Sequence, residues 1–344
     1  MVRPKKNRCV GLTLLELLVA MSIVGVLAAV LLPAVQRMRE TSRAKTCLNN
    51  LRQLGLGVQN FVSANQHLPH GTEIGYGTSW TARVLPFCEQ QALYNSIDLS
   101  DRGPEFDRYW NDDDRNEEAC TKSVPLFLCP SETAPSNVLI SSGINDRGIV
   151  SYLGVATGTE NDLRNLKLDT DFTTAKDVRE RRNGVLTVTQ ANDPTWDRDD
   201  PGVITQINMA AISDGTSSTL MIGETIFNVG EIPGGTRGSS YGMDHWIIGS
   251  PNIDATGSDL SEHVGTTAVP LNLYHQITSS EWSTMTVRDR SDLARQMSVG
   301  YGSYHGSIVH FVYADGHVEA IDDTIDEKLR RQLGTRNDGT SLSR

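Results

Sequence analysis

The chain has 344 residues, 38% of them apolar and 21% charged, which excludes a disordered chain and leaves material for one large domain or two small ones. Its net charge is −11, and the first eleven residues hold four cations (Arg3, Lys5, Lys6, Arg8) and no acid. The remainder carries 27 basic against 42 acidic residues, a net of −15, and an acidic body of that kind repels phosphate backbones and excludes nucleic acid as a main partner.

Behind the basic leader runs GLTLLELLVAMSIVGVLAAVLLPA. Residues 17–36 are twenty consecutive uncharged positions, about 30 Å as a helix and so enough to cross a bilayer. A cleaved secretory signal fits poorly, because its apolar region is shorter, about 7–15 residues. A retained anchor fits, but its orientation is not set by charge: Arg37, Arg39, Arg43 and Lys45 follow the span, against the cations that precede it. Glu16 sits near the start of this segment, where a carboxylate is costly in lipid unless it is paired or close to the interface.

Beyond the span, Val35, Met38, Ala44, Leu48, Leu51, Leu54, Val58 and Phe61 recur mostly every three or four residues, the apolar face of a helix. The pattern ends near Asn65 and Pro69 closes it. Residues 12–65 as one helix would be about 80 Å long, and Pro33 should kink it by removing an internal hydrogen bond. The outer half is amphipathic, so it is expected to lie against a folded head.

The head, residues 66–344, is rich in Gly, Ser, Thr, Asn and Asp between short apolar bursts. VPLFLCP, GIVSYLGVA, NGVLTV, TLMIGETIF and HFVYADGHVEAI are predicted as strands, and residues 83–97 as one short helix. No second long amphipathic helix is predicted. The acidic NDDDRNEEAC has Glu117 where a calcium loop needs glycine, so it is read as a solvated loop, and residues 161–200 as a polar excursion. In HFVYADGHVEAI the Asp-Gly pair predicts a two-residue hairpin turn, which gives Asp315 and Gly316 a structural reason to exist without a catalytic one.

GLTLLE resembles the recognition site of type IV prepilins and pseudopilins. The resemblance implies cleavage by a prepilin peptidase between Gly11 and Leu12, methylation of the new amine on Leu12, and Glu16 at the family's glutamate position. Leu12 stands where phenylalanine is usual, and Pro33 falls at the family's kink. Glu16 would then lie one helical turn from the new amine and could neutralise that of a neighbouring subunit, setting register. CLNNLRQLGLGVQNF, LPFCEQQALYN, FLCPSE, ISDGTSSTLMIGE and HGSIVHFVYADGHVEAI are similar, in this order, to the bacterial prepilin-like proteins with a DUF1559-type head of unknown function and an H-x9-DG motif. Here the motif is His305 with Asp315 and Gly316; Gly306-Ser307-Ile308 replaces the usual Pro-Gly-Gly.

Of the five cysteines, Cys9 lies in the leader and Cys47, Cys88, Cys120 and Cys129 remain, with no CxxC among them. Cys47 and Cys129 fall in family-like segments and are the candidate disulfide between stalk and head. A Cys120–Cys129 pair and free buried thiols stay open beside it.

These readings give an α+β, pilin-like fold: leader 1–11, transmembrane half-helix 12–36, amphipathic half-helix 37–65 and a β-rich head 66–344. There is no GxSxG, GxxxxGK[ST], HExxH or GxGxxG, so no enzyme, cofactor or metal is expected. The expected function is that of a type IV pilin-like or type II secretion pseudopilin-like structural subunit. It would sit single-pass in the cytoplasmic membrane, N-terminus inside, head periplasmic or extracellular. Its expected partners are prepilin peptidase, related subunits and membrane lipid. The alternative is a tethered module whose head binds a carbohydrate or other solute.

Overall fold

The computed structural model describes residues 14–74, 79–97, 118–132, 137–138, 147–160, 182–190, 206–226 and 263–339. Gly11 and Leu12, residues 111–117 of the acidic loop, and 161–181 and 191–200 of the polar excursion lie outside them.

Helix α1 (Leu14–Asn65) is continuous over 52 residues with Pro33 inside it. Its two halves differ as their composition demands. From Leu14 to Val35 the large apolar side chains are bare (Leu14 81%, Met21 69% and Val30 67% exposed), so this half needs lipid or other subunits to cover it. In the second half, Cys47, Leu51, Leu54, Val58 and Phe61 form a stripe at alternating spacings of four and three, and that stripe is buried in the head.

What it packs on is a five-stranded sheet in the order β7-β4-β6-β8-β9, from β4 (Tyr152–Thr157), β6 (Leu220–Glu224), β7 (Val264–Thr266), β8 (Ile308–Tyr313) and β9 (Val318–Asp322). β4–β7 is parallel and the other pairings are antiparallel. Helix α1 lies over β6, β8 and β9. β1 (Thr72–Ile74) pairs in parallel with β5 (Val188–Gln190), and β2 (Asn137–Val138) antiparallel with β3 (Arg147–Gly148). The core joins Leu51, Leu54 and Val58 of the stalk to Trp80, Phe127, Tyr152 and Phe311 of the head.

The LGLG of the stalk is where the head comes closest. A Cβ on Gly55 would lie 2.7 Å from Val312 Cγ1, and one on Gly57 would lie 2.6 Å from Cys88 Sγ. The hairpin and the segment before Glu89 thus close on the helix from two sides because neither glycine has a side chain. Gly55→Leu is expected to destabilise the head by about 1–3 kcal/mol through overpacking. Thermal unfolding in detergent would read this; an unchanged midpoint would contradict the packing.

Several elements differ from the sequence reading. VPLFLCP is not a strand: Pro125–Phe127 forms a 3-10 turn, which proline favours in its first turn because its missing N–H costs nothing there. The helix expected over 83–97 is split into α2 (Trp80–Val84), a 3-10 turn (Leu85–Cys88) carrying Pro86, and α3 (Gln91–Ser96), with Glu89 left-handed at φ 60° between them. Of NGVLTV only Val188 is in a strand, although Val185 and Leu186 are fully buried. Before β8 come helices α4 (Leu273–Gln276), α5 (Ser279–Thr284) and α6 (Val287–Val299), and after β9 comes α7 (Glu327–Leu333). α5 and α6 are polar helices begun by side-chain caps, Thr278 with Glu281 and Thr286 with Asp289.

The β8–β9 connection also differs from expectation. A two-residue Asp-Gly turn of type I′ needs positive φ at both residues, yet only Gly316 has it, at 93°. Gly316 N donates to Tyr313 O (2.9 Å) and Tyr313 N to His317 O (2.9 Å), so Ala314–Gly316 is a three-residue connection with glycine at the left-handed position.

Candidate functional site: the junction of stalk and head

A polar cluster forms where the stalk, just past the apolar half, enters the head. The 3-10 turn at Pro125 carries the chain round so that Cys129 faces α1. Ser151 N donates to Phe127 O (2.8 Å) and fixes that turn to the residue preceding β4. Cys47 and Cys129 are both buried, with Cα atoms 5.1 Å apart and their sulfurs joined as a disulfide. One turn along the stalk, Asn50 Nδ2 donates to Leu128 O (2.9 Å) and contacts Tyr152 OH (3.4 Å). Tyr152 OH in turn reaches Cys47 O at 3.5 Å. Burial, and then the charge of Glu224, push the Tyr152 hydroxyl well above its ordinary value, so it stays a neutral donor.

His305 lies against this disulfide. Its Nδ1 is 2.8 Å from Glu40 Oε1, which also accepts from Ser131 Oγ at 2.9 Å; its Nε2 is 3.5 Å from Cys129 Sγ. A carboxylate only accepts, so Nδ1 carries a proton, and in the neutral ring Nε2 then presents its lone pair to the sulfurs. Partial burial pushes the Glu40 carboxyl up. The hydrogen bonds from Ser131 and His305, with the charges of His305 and Arg43, outweigh that and hold it below its usual value. Behind His305, the His310 ring is 6.0 Å away, edge-on. His310 donates from N (3.0 Å) and Nδ1 (3.1 Å) to Glu224 Oε2 at the end of β6. Glu224 is buried, and its Oε1 has no hydrogen-bond partner among the described residues.

Asp315 and Gly316 are not part of this cluster. Asp315 Oδ1 accepts from His317 N (3.0 Å) and lies 2.6 Å from His317 Nδ1, while the His317 ring stacks on Tyr313 at 4.2 Å. The turn hangs on the other sequence-highlighted loop, with Ala314 N donating to Thr219 O (2.8 Å) and Asp315 N to Thr216 O (3.1 Å). It also meets the stalk, where Gln59 Nε2 donates to Ala314 O at 2.5 Å. The two ends of H-x9-DG therefore hold the stalk at two points, His305 at Glu40 and the turn at Gln59. Helix rise between those stalk residues is about 28 Å, and nine steps of extended chain cover at most about 30 Å. The motif is thus just long enough to span that length of stalk.

Glu16 lies exposed in the first turn of α1, and Pro33 lies in the helix's exposed half. His67 and His70 stack at 5.9 Å, away from His305. The residues that sequence reasoning passed over are Glu40, Asn50 and Ser131, and with them the pairing of Glu224 with His310. Glu40 had a signal: it is the lone acid among Arg37, Arg39, Arg43 and Lys45.

Cys88 and Cys120 are thiols outside the disulfide. Burial pushes the Cys88 thiol up to about 11 from 9.0. Alkylation of the native protein at neutral pH should therefore leave Cys88 unmodified, and alkylation after denaturation should modify it; peptide mass mapping reads both. An open cleft of about 540 Å³ lies between α7 and Gly158–Thr159, walled by Asp326, Glu327, Lys328 and Arg331. Among the described residues, no aromatic ring lines it.

Comparison with known families gives two matches. Residues 36–328 match the family described as "Protein of unknown function (DUF1559)", and residues 6–32 match the "Prokaryotic N-terminal methylation motif". No curated protein and no solved structure matches the chain.

Proposed function

Because this chain belongs to the prepilin-like DUF1559 family and carries the N-terminal methylation motif, we propose that it is a structural subunit of the type IV pilin or type II secretion pseudopilin kind. It is a single-pass membrane protein with its N-terminus cytoplasmic and its head outside the membrane. The motif implies processing by a partner of the prepilin peptidase type. In the proposal, cleavage falls between Gly11 and Leu12, and Leu12 carries the methylated amine. That cut precedes the apolar run, so the helix stays on the mature chain as its anchor.

The observation that carries the reading is the contrast within α1: a bare apolar half continuous with a half fastened to the head by the disulfide, His305 and Gln59. A helix gripped in this way can pass force or position from packed neighbours to the head. Assembly then rests on the bare half, with Glu16, about 6 Å of rise beyond residue 12, neutralising the amine of an adjacent subunit. Processed wild type and Glu16→Ala chains compared for assembly by electron microscopy and cross-linking test this directly. The ligand-binding alternative rests on the polar residues 161–200, of which 161–181 and 191–200 lie outside the described residues.

A further inference from the structure

Cys47 Sγ, Cys129 Sγ and His305 Nε2 all lie within 4.8 Å of one another, and with Nδ1 donating to Glu40 the neutral His305 ring offers the Nε2 lone pair to a metal at the sulfur pair. We propose that when the Cys47–Cys129 disulfide is reduced, these three atoms form a zinc site. Zinc would then replace the covalent link between stalk and head.

The geometry is that of a metal tetrahedron with one edge already set. Zn–S bonds of about 2.3 Å and Zn–N bonds of about 2.0–2.1 Å put the S···N edge near 3.5 Å. Cys129 Sγ and His305 Nε2 are 3.5 Å apart. The S···S edge must open to about 3.8 Å, which rotation of two cysteine side chains with Cα atoms 5.1 Å apart can supply. The outer contact also fits: a metal-binding histidine usually donates its other N–H to a carboxylate, which fixes the ring and raises its basicity. Glu40 occupies that place at 2.8 Å, itself held by Ser131. Two thiolates and one imidazole on zinc leave the fourth position to water.

The redox step balances with a dithiol as co-reactant. Thiol–disulfide exchange breaks the Cys47–Cys129 bond, the dithiol is oxidised to its own disulfide, and its two protons pass to Cys47 and Cys129. Zinc then displaces those protons. Neither link coexists with the other, so the reducing strength of the compartment selects which one ties stalk to head.

The test uses the full chain in detergent. Reduction is by a water-soluble phosphine, which becomes its oxide with the oxygen of one water. Cobalt(II) is the spectroscopic probe and zinc the competitor. The reduced protein should take one cobalt per chain with a thiolate-to-cobalt charge-transfer band, bleached by zinc, and the oxidised protein none. His305→Ala, which still forms the disulfide when oxidised, should lose at least tenfold in affinity, and Glu40→Gln about tenfold. If reduction loosens the head, zinc should restore its near-ultraviolet circular dichroism. Absence of the band in the reduced protein, or equal affinity in His305→Ala, overturns the proposal.

Discussion

Cys129→Ser should lower the stability of the head by about 4.5 kcal/mol, the value expected for opening a loop of this size. The two cysteines are separated by 82 residues, so the disulfide removes a large amount of disorder from the unfolded chain. Cys47→Ser and the double variant should cost the same as the single change, because each breaks the same bond. Metal-free, reduced wild type should match them. Denaturant unfolding in detergent gives the four values. Additive losses, or no loss, would show that the pair does not hold stalk to head. The neighbouring hydrogen bonds, Asn50 to Leu128 and Ser131 to Glu40, should slow but not prevent separation.

Glu16→Ala should abolish assembly while leaving processing intact. The carboxylate lies on the exposed apolar half, where packed neighbours would bury it. A buried pair that loses one partner costs about 3–5 kcal/mol, which amounts to a loss of subunit affinity of more than a hundredfold. The proposed cleavage point, between Gly11 and Leu12, lies upstream of Glu16, so the processed mass should appear in normal yield. Normal filaments from Glu16→Ala would remove the role assigned to this residue. Unprocessed protein would instead make Glu16 part of peptidase recognition.

The stalk was the most legible part of the sequence because its signals are local. A 3.6-residue period and an uncharged run are written in neighbouring positions, and GLTLLE is contiguous. The β8–β9 hairpin was legible for the same reason, but its turn type was not. Asp-Gly also serves a three-residue connection when the aspartate keeps negative φ, and the hydrogen bonds of Ala314 and Asp315 to the Thr216–Thr219 loop go with that form. VPLFLCP misled because a short apolar run does not reveal its period, and Pro125 turned it into a 3-10 turn. Helices α5 and α6 were missed for want of an apolar stripe, although Thr278-x-x-Glu281 and Thr286-x-x-Asp289 were readable as caps.

The junction was the least legible part. Glu40 and His305 are 265 positions apart, and Glu224 and His310 are 86 apart, so neither pair has a local signature. The first meeting needs β8 laid along the stalk, and the second follows from the antiparallel pairing of β6 with β8. His305 and Asp315 do not share a site, in keeping with the structural reading of the Asp-Gly turn. Their spacing places them at two ends of a strap, not around a common point.

The central claim is that the apolar segment is a retained, processed stalk and not a discarded signal. Intact mass and N-terminal peptide mapping of the protein from membranes of a host with a prepilin peptidase test it most directly. The account predicts a mature chain that begins at Leu12 and carries a methylated amine. A chain that begins beyond residue 30, or one that keeps Met1 in the presence of the peptidase, would contradict it.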